Sequence, residues 1–179
     1  MQDNLGLANV HQARGELRVR GVDFAGAEAD YARALELYTG MESSLGLANV
    51  HQARGELRVR RADLAGAEAD YARALELSTG VQDNLGLANV HKARGDLLQG
   101  TNQLDAAELA YELALSLYVV VDNALGQSNV LVEQARVAAL RGDPERALAL
   151  VSRAEPLAER SGNRYALAMI GKLRGRDIR

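Results

Sequence analysis

Cysteine is absent from the 179-residue chain, so it can hold neither a disulfide framework nor a thiolate metal site. A reducing, cytoplasmic setting is the expectation. Tryptophan is also missing and phenylalanine occurs once, which leaves six tyrosines to supply most of a 4% aromatic content. No apolar run reaches the roughly 18 residues that a membrane-spanning helix needs. The opening residues Met1-Gln2-Asp3-Asn4 carry neither the basic region nor the apolar core of a secretion signal. Positive charge is not in excess: 21 Lys and Arg against 24 Asp and Glu leave a net charge of −3, which argues against nucleic acid as a partner. Phosphate-binding glycine loops and nucleophile elbows are missing too, since Gly-Leu-Ala-Asn opens a helix and is not a Walker sequence.

What remains is a chain that is 47% hydrophobic and 25% charged, of a length that suits one domain over residues 1–179. Alanine is abundant, and small side chains let helices approach closely. Self-comparison shows the organisation. Leu5-Gly6-Leu7-Ala8-Asn9-Val10-His11 returns as residues 45–51 and again as 85–91; positions 5–40 and 45–80 differ at only four of 36 sites. The third unit drifts after Leu97. The fourth, from Leu125, keeps Leu125-Gly126, Asn129-Val130, Ala147 and Ala154. Four repeats of forty residues (about 5–44, 45–84, 85–124 and 125–164) are followed by a half-repeat at 164–174, where Tyr165, Leu167, Ile170 and Leu173 predict a capping helix. The remaining Arg174 to Arg179 reads as a frayed tail.

Each unit reads as two helices. Leu7, Val10 and Leu17 recur at helical spacing along the first, which starts behind Asp3, Ser43 or Asp83 as amide caps. The second starts after Asp23 or Asp63 and carries Ala27, Tyr31, Ala34 and Leu35 on one stripe. Thr39-Gly40 and Thr79-Gly80 close it, with glycine expected in the left-handed conformation. Gly142-Asp143-Pro144-Glu145 is a strong helix start in the fourth unit. Strand signals are absent. One such helix pair cannot bury its apolar stripe alone, and stacked pairs can.

Ala8, Gly15, Ala27, Tyr31 and Ala34 resemble the small-and-large signature of tetratricopeptide repeats. The matching sets are Gly55, Ala67, Tyr71, Ala74; Gly95, Ala107, Tyr111, Ala114; and Ala135, Ala147, Val151, Ala154. The period of forty is similar to the longer-helix variant found in Pins/LGN-type adaptors and in sensor regions of signal-transducing NTPases, where a Leu-Gly pair also opens the first helix. The resemblance implies an all-α, right-handed solenoid of stacked antiparallel helix pairs. One departure stands out. Arg14 and Arg18, Arg54 and Arg58, then Arg94 and Leu98 occupy positions that the family fills with leucine and an aromatic. Arginine stems packed between helices, with heads paired to acids such as Glu28 or Asp30, are the expected solution; a slightly rotated helix is the alternative.

In that family the first helix of each pair lines an inner, concave surface. By this resemblance the partner-facing positions are Asn9, Gln12, Glu16, Val19 and Arg20, then Asn49, Gln52, Glu56, Val59 and Arg60. The third unit supplies Asn89, Lys92, Asp96 and Gln99, and the fourth Asn129, Val132, Arg136, Ala139 and Leu140. Stacked repeats turn these into rows of amides, acids and arginines, and an acid row favours a basic segment of a partner. An internally satisfied face is an equal expectation. Glu16 and Arg20, like Glu56 and Arg60, are spaced for an intrahelical ion pair worth roughly 0.2–0.5 kcal/mol. Lys92 is the only lysine on the face, so a chaperone-tail carboxylate clamp is not expected.

His11, His51 and His91 tempt a metal reading. An intervening helix separates successive histidines, though, and packed axes lie about 8–10 Å apart against metal–ligand distances near 2 Å. They are expected as partly buried packing residues. No metal, cofactor or catalytic site is expected. The function anticipated is a protein- or peptide-binding adaptor module, a fragment of a larger cytoplasmic signalling protein, because Met1 leads almost directly into a repeat without a capping element. The alternative is a self-associating structural module, a homo-oligomer formed through open repeat ends by stacking or exchange of repeats.

Overall fold

In the computed structural model the described residues are 3–176, so Asp177, Ile178 and Arg179 of the expected tail lie outside them. Within them the chain is helical and without strands. The helices are α1 (Asn4–Arg20), α2 (Phe24–Gly40), α3 (Ser44–Arg60), α4 (Leu64–Gly80), α5 (Asn84–Gly100), α6 (Leu104–Val120), α7 (Ala124–Leu140), α8 (Pro144–Ser161) and α9 (Arg164–Arg176). The expected pairs are therefore present. Contacts divide the chain into two compact units at Val90/His91, a point inside α5.

A twenty-residue module explains the regularity. Asp23 closes one helix and opens the next: its backbone N–H donates to Arg18 O at 2.9 Å, while its side chain accepts from Gly26 N at 3.0 Å. Asp3, Ser43, Asp63, Asn123 and Asp143 cap in the same way. A turn this short needs one left-handed residue, and it falls one place before the cap. The occupants are Val22 (φ 64°), Glu42 (φ 52°), Ala62 (φ 61°) and Gln82 (φ 56°). Gly40 and Gly80 therefore do not take the left-handed role expected of them. Both are the last residues of their helices, and the conformation belongs to Glu42 and Gln82.

Within a pair the close approach is made by glycine under a tyrosine ring. A Cβ on Gly15 would stand 2.5 Å from the Tyr31 ring, and Gly55 and Gly95 repeat the distance beneath Tyr71 and Tyr111. These tyrosines, with Ala8, Ala27 and Ala34 and their equivalents, are fully buried. In unit 2 the fourth pair uses Ala135 against Val151, and α9 closes the core with Ala166, Ile170 and Leu173. Tyr165 and Leu167, expected in that capping face, stay outside it at 49% and 36% exposed, because the buried stripe runs through 166, 170 and 173.

The apolar stripe of α1 departs further from expectation. Leu7, Val10 and Leu17 are 39%, 57% and 62% exposed, whereas on α3 the copies of the last two, Val50 and Leu57, are buried completely and that of the first, Leu47, is half-buried. The helices are identical from Leu5 to Arg20 and Leu45 to Arg60. The difference lies in the neighbours: α2 and α1 both pack against α3, and no described helix stands on the other side of α1.

Candidate functional site

The arginines at apolar family positions are held by one buried acid. Asp30 on α2, 2% exposed, accepts from Arg14 Nε and Nη2 at 2.9 and 2.5 Å and pairs with Arg18 Nη1, 2.9 Å away, which itself donates to Gly26 O. His11 Nδ1 lies 2.9 Å from its Oδ1. Hydrogen bonding from Arg14, helped by His11 and the charges of Arg14 and Arg18, brings the Asp30 pKa down to about 2 against the opposing effect of burial. Arg54, Arg58 and His51 repeat the arrangement around Asp70. There burial pulls upward, and the His51 and Arg54 bonds with the Arg54 and Arg58 charges outweigh it, so the pKa again falls. Asp30 is thus the acid that Arg14 finds; Glu28 instead faces Arg58 and Arg61 of the next repeat, 3.9 Å from each. His11 and His51 accordingly serve as interhelical partners. In the third repeat Ala110 replaces the acid, His91 Nδ1 is buried without a partner, and burial together with Arg94 depresses its pKa. No group of His, Asp and Glu among the described residues has a metal-binding arrangement.

The opposite side of the first helices is polar and open. In unit 1, Gln12, Glu16 and Arg20 of α1 line a concavity of about 340 Å³ with Gln52, Glu56 and Arg60 of α3. Asn49, Asn89 and Val19 join them, and the ring of Tyr31 reaches the same hollow from α2. Asn9 and Val59 do not line it. The side-chain oxygen of Asn9 accepts instead from the Tyr38 hydroxyl at 2.5 Å. The expected Glu16–Arg20 pair is not made. Glu16 accepts from Gln12 Nε2 at 3.2 Å, and Glu56 likewise from Gln52.

Unit 2 has its own concavity, of about 510 Å³, lined by Lys92, Asp96, Gln99, Asn129, Arg136 and Leu140, with Glu133 and Tyr165. Its charges are internally matched. Lys92 Nζ lies 2.7 Å from Asp96, which also accepts from the Tyr111 hydroxyl at 2.9 Å. Arg136 is 2.5 Å from Glu133, which accepts from the Tyr165 hydroxyl at 2.6 Å. Asn129 Oδ1 is taken by Asn163 at 2.7 Å. Val132, expected on the open face, is fully buried in the core, and Ala139 lines a separate hollow with Met169 and Leu173. Glu133 and Tyr165 were missed as lining residues because the fourth unit has diverged and the glutamate sits off the repeat positions used for the other three.

No family model and no curated protein matches this sequence. Solved structures do match. BtubC (BKLC) from P. vanneervenii is 20% identical with a TM-score of 0.77, over 92% of this chain and 68% of that one. The apo form of RapI is 15% identical with a TM-score of 0.84, over 98% of this chain and 49% of that one, so the chain spans about half of RapI. Both are helical-repeat folds. At these identities the likeness is one of fold, and it says nothing about partners. No helix of the described residues is long and apolar enough to cross a membrane.

Proposed function

We propose that this chain is a protein- or peptide-binding scaffold of the tetratricopeptide type, with no catalytic role, acting as a cytoplasmic adaptor. The observation that carries the reading is the unit 1 concavity, where equivalent amide, acid and arginine side chains of α1 and α3 stand side by side. Amides present a donor and an acceptor at once and so suit a peptide backbone running in either direction. The acid row supports a basic partner less than its spacing suggests, since Glu16 and Glu56 are engaged by Gln12 and Gln52. Selection of binders from a displayed peptide library, repeated with Gln12→Ala/Gln52→Ala, tests the reading. Binders that the folded variant holds equally well would remove the groove from the account.

A second reading, self-association, rests on the exposed Leu7, Val10 and Leu17 of α1. A second copy that covers this face would bury apolar surface of the kind α3 buries inside the chain. Sedimentation velocity over a hundredfold range of concentration (about 1–100 μM, near the affinities of weak complexes) tests it. A monomer throughout would sink this reading and leave the scaffold reading intact.

A further inference from the structure

The unit 1 groove contains two cations and one hydroxyl that the fold itself does not use. Arg20 and Arg60, the last residues of α1 and α3, are exposed and have no hydrogen-bond or salt-bridge partner among the described residues. Arginines at helix C-termini complement the helix dipole, but that accounts for neither their alignment nor the group they flank. Tyr31, only 1% exposed, lines the same hollow and makes no hydrogen bond within the described residues. The ring is buried and the residue meets the open hollow, and a tyrosine hydroxyl placed in this way usually finds a hydrogen-bond partner. Its counterpart in unit 2 does: the Tyr111 hydroxyl donates to Asp96 at 2.9 Å. In unit 1 the longer Glu16 is drawn to Gln12 instead.

The four charged side chains around Tyr31 are sorted. Burial, then Glu16 and Glu56, raise the phenol's pKa, while Arg20 and Arg60 act in the opposite sense. The hydroxyl therefore stays protonated and remains a donor. Gln12 and Gln52 each donate to the glutamate one turn further on, and Arg20 and Arg60 follow those glutamates by one more turn along the chain. Two guanidinium groups and one hydroxyl remain as donors that make no bond within the groove.

Resting on the scaffold reading above, we propose that this groove takes an acidic segment of a partner protein, one carboxylate seating between Arg20 and Arg60 and accepting from the Tyr31 hydroxyl. Planar guanidinium groups suit a carboxylate in paired hydrogen bonds. A doubly charged phosphate would be repelled more strongly by Glu16 and Glu56 than a single carboxylate. The site belongs to unit 1 alone, because Gly100 and Leu140 stand where Arg20 and Arg60 do, and the unit 2 charges are already matched.

The test uses the full chain and a random dodecapeptide library on phage, with selected peptides then titrated by fluorescence anisotropy. Arg20→Gln/Arg60→Gln and Tyr31→Phe remove groups that bear on no internal bond, so both variants fold. The expected result is enrichment of Asp and Glu, with each variant weakening the best peptide by about tenfold or more, as loss of a charge-assisted contact does. Changing the critical Glu of the peptide to Gln should weaken it equally, and that loss should vanish in the arginine variant. Peptides that bind, depend on Gln12 and Gln52, and show no acidic preference would overturn this proposal while the scaffold reading stood. A preference for Lys and Arg would overturn it in the same way. Recovery of no groove-dependent peptide would overturn both.

Discussion

Substitution of one leucine in two identical helices separates position from sequence. Residues 5–20 and 45–60 are the same sixteen residues, yet Leu57 has no exposed surface and Leu17 keeps 62% of its own. Leu57→Ala removes buried methyl groups and leaves a cavity, at a cost of about 2–5 kcal/mol. Leu17→Ala withdraws little surface from water and costs below about 1 kcal/mol. With a urea m-value of about 1–3 kcal/mol/M, the first substitution moves the unfolding midpoint by roughly 1 M or more, and the second by a fraction of that. Urea titration followed by circular dichroism at 222 nm reads both, and the m-values show whether unfolding of the repeat array has stayed cooperative. Equal losses at every protein concentration would refute the assignment of α1 as the uncovered helix. Equal losses that appear only as concentration rises would mean that a second copy covers Leu17, the outcome self-association requires.

Three further outcomes follow from the same geometry. Asp30 titrates at about 2 in the folded chain, below the unfolded value near 3.9. The folded state thus binds fewer protons, and the stability Asp30 contributes is present above about pH 4 and lost as pH falls toward 2. Asp30→Asn should lower stability at pH 7 and flatten acid unfolding across that interval, as measured by urea titrations at stepped pH; an unchanged slope would count against the ion cluster. Val22→Gly places glycine at φ 64°, where a β-branched residue is strained. Relief of about 1–2 kcal/mol, less the chain entropy of glycine, predicts a net gain of about 0.5–1 kcal/mol and a higher melting temperature. A lower one would show that Val22 makes contacts worth more than its strain. Ala110→Asp returns an acid to the position equivalent to Asp30, and the His91 pKa, now depressed by burial and Arg94, should rise in an NMR titration. Unmoved His91 resonances would mean that the third pair no longer presents this position to the histidine.

Features set by neighbours along the chain were legible in the sequence. Asp23, Ser43 and Asp143 announce helix starts because a cap bonds to an amide three residues on. The helix ends were misread at Gly40 because glycine is the usual left-handed residue. In a turn of three residues the cap fixes where that conformation must fall, and Glu42 is simply what stands there. Features set by neighbours in space were less legible. Nothing in an identical stretch of sixteen residues distinguishes a helix covered on both sides from one covered on one. The Glu16–Arg20 spacing is correct for an ion pair, but Gln12 lies the same distance on the other side of Glu16 and competes for it. Spacing alone does not rank these two partners.

The arginines of the first helix show how a single residue type serves two faces. Arg14 and Arg18 are four residues apart, share the side of α1 that meets α2, and converge on Asp30. Arg20 is two residues beyond Arg18, a rotation of about 200° around the helix, and so turns from the buried acid to the open groove. One of the two interior arginines goes with the acid it faces, while the other is kept as Arg94. Where the third repeat loses the acid, at Ala110, it also loses the arginine equivalent to Arg18 and Arg58, at Leu98. A cation left there without its carboxylate would be a partly buried unpaired charge, and replacement of both partners by apolar side chains costs far less than removal of one. The groove arginine has no such constraint, because in the chain alone its head stays in water. Its loss at Gly100 and Leu140 therefore leaves stability nearly untouched and changes what the second groove can hold.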